Sequence, residues 1–272
     1  MKLLLLDDRY PRELLTGFEV VTTPQEDVVA VLTMPEHPVG DELTAALPGL
    51  RVVGTATVGF DHIQVPDHVR VVSVPDYCTE EVADHTLALL LALLRGVVAF
   101  QSAPWDAKAA GPLRVVHGLR VGIVGLGRIG SAVAERVRAL GAEVLAHDIR
   151  PVAGGVSLPE LLAESDAVTL HVPLTRETRG LIGKDELALM KPDALLINTA
   201  RGAVVDLAAL LDALRGGRLG GAALDVLPAE PPPVRPAAPN LIVTPHAAYY
   251  SAASEERSYR LCVARVREAL GA

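Results

Sequence analysis

The stretch Val121-Gly122-Ile123-Val124-Gly125-Leu126-Gly127-Arg128-Ile129-Gly130 constrains the fold more than any other part of this 272-residue chain. It reads as a buried strand, a tight turn and the first turn of a helix, with Gly125, Gly127 and Gly130 spaced G-x-G-x-x-G. The first glycine allows the turn, the second lets a pyrophosphate approach the backbone, and the third lets helix and strand pack closely. A helix start offers free N–H groups and a partial positive charge to such an anion. The pattern alone is weak, because glycine turns between strand and helix are common. Its context strengthens it. An apolar helix follows over 132–140, then a strand over 143–147 that runs into Asp148. An acidic residue about 20 positions past the glycines can accept hydrogen bonds from ribose hydroxyls.

From 119 to 246 the chain alternates strand and helix. Strands are expected at 120–125, 143–148, 167–172, 194–198, 220–225 and 241–244, with helices over 158–163, 184–190 and 207–214. Such alternation makes a parallel, doubly wound sheet. The N-terminal part has strands at 3–6, 18–21, 28–32, 50–53 and 71–74. It also has a helix over 41–47 and a long one over 80–100, with Thr79 as its N-cap. These strands are continuous apolar runs, as in sheets covered on both faces. The stretch 101–117, with Pro104, Gly111, Pro112 and the single Trp105, reads as a linker or arm. A final helix is expected over 252–270, with Tyr259, Leu261, Cys262, Val266 and Leu270 apolar.

Bulk properties exclude several classes. Half the residues are hydrophobic, which supports substantial cores, and the formal net charge is −8. A nucleic-acid partner needs a basic face, so none is expected. Cys78 and Cys262 lack metal-ligand spacing, so neither a metal site nor a disulfide is implied and a reduced, cytoplasmic setting is expected. The apolar start is interrupted by Asp7-Asp8, too early for a signal peptide. The longest apolar run, 87–94, stops at Arg95 and is too short to span a bilayer, so no membrane partner is expected.

Three polar residues fall at or just past the ends of later strands: Arg201, Glu230 and His246. Singly, each has an ordinary reading as a surface ion-pair partner, a loop carboxylate or a loop histidine. Together they can run a reaction. Oxidising a 2-hydroxy acid needs a base, a cation for the carboxylate and a hydride acceptor. Imidazole exchanges protons near neutrality. A carboxylate beside it fixes the ring and favours its protonated form. A guanidinium grips a planar carboxylate through two hydrogen bonds. Pro231 biases Glu230 toward an extended backbone.

Five segments carry a family resemblance: VGIVGLGRIG (121–130), LHVPLTRETRGLI (170–182), LINTARGAVVD (196–206), GAALDVLPAEPP (221–232) and TPHAAYYS (244–251). In content and order they resemble the D-isomer-specific 2-hydroxyacid dehydrogenases, over nearly the whole chain. The resemblance implies two Rossmann-like, doubly wound α/β domains with a cleft between them. A flavodoxin-like substrate domain would comprise 1–97 and 250–272, and an NAD-binding domain 98–249. It makes Arg201 the substrate carboxylate and carbonyl ligand, His246 the acid/base and Glu230 its partner. Cofactor contacts would come from Gly125, Gly127, Arg128, Ile129, Gly130, Asp148, His171, Val172, Pro173, Thr199, Ala200, Asp225 and Ala248, with Asp225 on the nicotinamide carboxamide. Val58 and Gly59 would meet the substrate carboxylate, and Tyr249 would line the pocket. It also implies a homodimer joined through the cofactor domain and the arm at about 98–118.

The phosphoglycerate enzymes of this family place an Arg-Ser pair and a further Arg at positions matched here by Leu32-Thr33 and Thr55. A small, unphosphorylated acid is therefore the expected substrate. Asp148 favours NAD over NADP, because its carboxylate would repel a 2′-phosphate. NTARG, GAALDV and TPHAAYYS also resemble the C-terminal binding proteins, NAD(H)-sensing corepressors on the same fold. That reading stands as the alternative to an enzyme.

Overall fold

The computed structural model describes residues 1–101 and 105–271. Of the linker expected at 101–117, residues 102–104 lie outside the described residues. Contacts divide the chain into two compact units: Met1–Cys78 together with the residues from Tyr250 on, and Thr79–Tyr249.

The first unit is a five-stranded parallel sheet of β1 (Lys2–Leu5), β2 (Glu19–Val21), β3 (Val28–Thr33), β4 (Val52–Thr55) and β5 (Arg70–Val72). Their order is β2-β1-β3-β4-β5, the flavodoxin-like arrangement. A short helix α1 (Asp41–Ala45) precedes β4. Leu4, Val28, Val31, Val39, Leu47, Leu50 and Val53 form one core of this unit. A long helix over Ala252–Leu270, numbered α7 in chain order, packs against β4 at Gly54. A Cβ on Gly54 would lie 2.5 Å from Val266 and 3.2 Å from the Cys262 sulfur, so only glycine admits the helix this closely. Tyr10 ties the same region together. Its buried hydroxyl donates to the Thr33 carbonyl at 3.1 Å and accepts the Ala56 N–H at 2.9 Å.

The second unit begins with α2 (Thr79–Leu94). Then come β6 (Arg120–Val124), α3 (Arg128–Ala139), β7 (Glu143–His147), α4 (Leu158–Glu164), β8 (Ala167–Leu170) and α5 (Lys184–Leu189). β9 (Leu195–Asn198), α6 (Leu207–Arg215), β10 (Gly221–Leu224) and β11 (Leu241–Val243) complete it. The sheet is wholly parallel, in the order β11-β10-β9-β8-β6-β7. Side chains alternate between its two covered faces. Val121, Ile123, Leu195 and Ile197 pack with α2 and α3, whereas Val124, Leu170, Leu196 and Leu224 pack with α4, α5 and α6.

Two features depart from expectation. The long helix ends at Leu94 rather than near residue 100. Gly96 stands at φ +61°, its N–H bonds the Leu93 carbonyl and the Val97 N–H bonds the Ala92 carbonyl. That is the Schellman arrangement, which glycine stabilises and which stops the helix. The boundary expected at 97/98 falls instead at Cys78–Thr79. α2 presents Val82, Ala83, Leu89, Leu90, Leu93 and Leu94 as one buried face, and that face packs on α3, β9 and β10 of the second unit.

Candidate active site

Order reversal between β6 and β8 opens the second sheet at the carboxyl ends of its strands, where ligands bind in doubly wound folds. The glycine turn sits there. Gly125 has φ +92°, and a Cβ on it would meet the His171 carbonyl oxygen at 2.7 Å and Val172 at 3.0 Å. A Cβ on Gly130 would fall 2.0 Å from the Gly125 oxygen, so helix and strand meet there without room for a side chain. Gly127 faces open space instead. It caps α3 without a side-chain acceptor, which leaves the first-turn N–H groups, those of Arg128, Ile129 and Gly130, for an anion. This cradle fits a dinucleotide pyrophosphate.

Asp148 follows β7. Its Oδ2 accepts the Leu126 N–H at 2.8 Å and its Oδ1 the Arg150 N–H at 2.9 Å. The Arg150 N–H, aided by that of Leu126, outweighs burial and holds this carboxyl below the usual carboxylate range. The residue therefore braces the glycine turn as a charged group. His171 follows β8, with Nε2 3.0 Å from the Thr169 hydroxyl. Burial pushes its pKa down to about 3, so the ring is neutral at working pH. Pro173 continues this segment, its carbonyl accepting the Thr178 hydroxyl at 2.6 Å.

After β9, Asn198 shapes the turn that carries Thr199, Ala200 and Arg201. Its buried amide accepts the Ala200 N–H at 3.0 Å and donates to the Arg201 carbonyl at 2.9 Å. Arg201 is half-buried and also donates to the Ala200 carbonyl at 2.8 Å. Thr86 of α2 donates its hydroxyl proton to the Val82 carbonyl at 2.8 Å, so its 3.0 Å contact with Thr199 is donated by Thr199.

The ends of β10 and β11 hold the remaining groups. His246 adopts φ +53°, an uncommon conformation for a non-glycine residue. Its N–H bonds the Asp225 carbonyl at 2.8 Å. This bend aims the next two N–H groups back at the Asp225 carboxylate. Ala247 donates to Oδ1 and Ala248 to Oδ2, each at 2.9 Å, and the Thr244 hydroxyl reaches Oδ1 at 2.5 Å. Burial opposes ionisation of Asp225, yet hydrogen bonds from His85, Thr244 and these N–H groups bring its pKa to about 2. Glu230 accepts the Leu227 N–H at 2.6 Å through Oε1, and its Oε2 lies 2.6 Å from His246 Nδ1. Burial disfavours its charge, but the His246 and Leu227 bonds prevail and its pKa lies below the ordinary value. A carboxylate only accepts, so Nδ1 carries the proton and Nε2 is left for chemistry. The Tyr249 ring stands edge-on to His246, with centroids 6.0 Å apart.

The structure thus joins Glu230 to His246, and Asp225 to Ala248. Val58 and Gly59 lie in the first unit, in the loop after β4, where the Thr57 hydroxyl donates to the Gly59 carbonyl at 2.6 Å. Asn198, Thr244, His85 and Thr86 escaped the sequence reading. Asn198 and Thr244 lie inside the segments 196–206 and 244–251, and His85-Thr86 is a polar pair within an apolar helix.

A dinucleotide cradle and a paired histidine and glutamate on one doubly wound sheet define a nicotinamide-dependent oxidoreductase. Comparison with known proteins makes this specific. Residues 86–248 match the model for the D-isomer specific 2-hydroxyacid dehydrogenase, NAD binding domain. The chain is 37% identical to a glycerate dehydrogenase of Methylorubrum extorquens, over 86% of this chain and 82% of that one. It is 40% identical to a glyoxylate reductase of Korarchaeum cryptofilum, over 88% and 78% respectively. The crystal structure of a D-lactate dehydrogenase from Aquifex aeolicus, complexed with NAD and lactic acid, superposes with a TM-score of 0.87. That match is at 30% identity and covers 100% of this chain and 96% of the other. The chain belongs to the D-isomer specific 2-hydroxyacid dehydrogenase family, and NAD is its cofactor.

Proposed function

We propose that the protein interconverts a small, unphosphorylated 2-keto acid and its D-2-hydroxy acid, with NAD preferred over NADP. The observation that carries this reading is the 2.6 Å contact between His246 Nδ1 and Glu230 Oε2. Bound NADH supplies the hydride for the keto carbon. His246 gives a proton from Nε2 to the carbonyl oxygen, and takes it back in the reverse direction. Glu230 holds the ring and stabilises its charged form, and Arg201 grips the substrate carboxylate. Tyr249 lines the pocket, while Val58 and Gly59 offer backbone N–H groups to a carboxylate. Asp225 and Ala248 with Thr199 and Ala200 hold the nicotinamide end. Asp148, fixed as an anion, disfavours a 2′-phosphate. Leu32, Thr33 and Thr55 are buried and uncharged, so they offer a substrate phosphate nothing. Among the described residues no helix is long and apolar enough to cross a membrane. We place the protein in the cytoplasm as a homodimer.

The test follows NADH consumption with hydroxypyruvate, glyoxylate, pyruvate and a phosphorylated 2-keto acid, repeated with NADPH. Turnover of an unphosphorylated acid supports the reading, and preference for the phosphorylated one overturns the substrate class. Tight NADH binding without turnover of any acid would leave the sensing alternative. His246→Ala should lower kcat by about 10²–10⁴-fold and leave NADH affinity nearly unchanged. Loss of NADH binding in that variant would make the histidine structural.

A further inference from the structure

The side chain of His85, on α2, is a quarter exposed. Its Nε2 lies 3.2 Å from Thr244 Oγ1 and 3.5 Å from Asp225 Oδ1. Counting donors fixes the direction of this chain. Asp225 is charged and can only accept, so the Thr244 hydroxyl spends its single proton on Oδ1. Thr244 Oγ1 can then only accept from His85, so Nε2 of His85 bears the hydrogen. The relay runs His85 to Thr244 to Asp225. Its effect is to fill Oδ1, which also takes the Ala247 N–H. Among the described residues Oδ2 takes only the Ala248 N–H and keeps a lone pair.

We propose that His85 is a positioning residue for the nicotinamide: as the Nε2–H tautomer it directs the Thr244 hydroxyl and locks the Asp225 carboxylate with Oδ2 open to the carboxamide N–H. The proposal rests on the reading of Asp225 as the carboxamide ligand. Without the His85 donor, Thr244 loses the partner that directs its proton. The Thr244 hydroxyl is then free to rotate off Oδ1, which keeps the Ala247 N–H alone, and the carboxylate can turn Oδ2 away.

ADP-ribose separates this role from a merely structural one, because it shares every part of NADH except the nicotinamide. Calorimetric titration of NADH and of ADP-ribose would be run on the full-length wild type, His85→Phe, His85→Gln and Asp225→Asn. In His85→Phe the affinity for NADH should fall about tenfold, the size of one lost hydrogen bond to a charged network. ADP-ribose affinity should stay within about twofold. In His85→Gln, which restores an N–H donor at similar reach, NADH affinity should recover. Parallel loss of both ligands in His85→Phe, or loss of neither, overturns the proposal. Asp225→Asn tests the reading beneath it. If that variant still prefers NADH over ADP-ribose as the wild type does, Asp225 is not the carboxamide ligand. If Asp225→Asn loses the preference and His85→Phe keeps it, only the role of His85 fails.

Discussion

Asp225 is fully buried, and its pKa is lowered to about 2 from an ordinary 3.8. As the pH falls, the unfolded chain takes up this proton before the folded one does. The stability the group contributes is therefore present in full above about pH 4 and disappears as the pH falls through about 2. It amounts to roughly 2 kcal/mol at 1.36 kcal/mol per unit. Urea unfolding of wild type and Asp225→Asn should show a gap that narrows between about pH 4 and pH 2. A gap constant over that range would mean the charge of Asp225 does not stabilise the fold. At this scale the sequence was informative where one motif held the whole arrangement. Gly125, Gly127 and Gly130 act through the backbone they interrupt, so their spacing states their role. Glu230 and His246 could be paired only through the family resemblance, because they stand sixteen positions apart, with loop and strand between them. His85 was illegible, since its partner Thr244 lies 159 positions away and nothing in an apolar helix tells which strand ends it faces.

α2 shows the same limit among elements. Its buried face was evident from the spacing of apolar residues, and so was its identity as a helix. The sheet it covers was not, because a helix that follows strands in the sequence can pack on those or on later ones. Its end was legible in principle, since a glycine after an apolar periodic run is a stop signal. α7 and β4 allow a sharper statement. The approach at Gly54 leaves no room for a methyl group, and its φ is one that other residues also adopt, so any penalty is steric alone. Gly54→Ala should destabilise the protein by about 1–3 kcal/mol through overpacking, measured by urea unfolding. Adding Val266→Ala, which removes the nearest obstructing methyl, should recover part of that loss. Additive losses in the double variant would show that the two residues do not meet.

For the molecule as a whole, the exposed apolar side chains are unevenly spread along the chain. Val97, Val98, Trp105 and Val115 are each at least half exposed, and Trp105 is fully so. They cluster in the arm that the family resemblance assigns to subunit contact, and exposed large apolar groups of this kind mark interaction surfaces. Sedimentation should give twice the chain mass for the wild type and the single-chain mass for a Val97→Glu/Trp105→Glu double variant. A wild-type monomer would remove the arm from any dimer contact. The two units also differ in how the chain builds them. The second is one unbroken segment, whereas the first is made of two pieces separated by it. During synthesis the face of β4 around Gly54 must wait for α7, which begins about 200 residues later. At ~5–20 residues per second the delay is about 10–40 s. Over that interval the N-terminal piece of the first unit leaves the ribosome with an apolar sheet face uncovered, and the interrupting unit can fold before it.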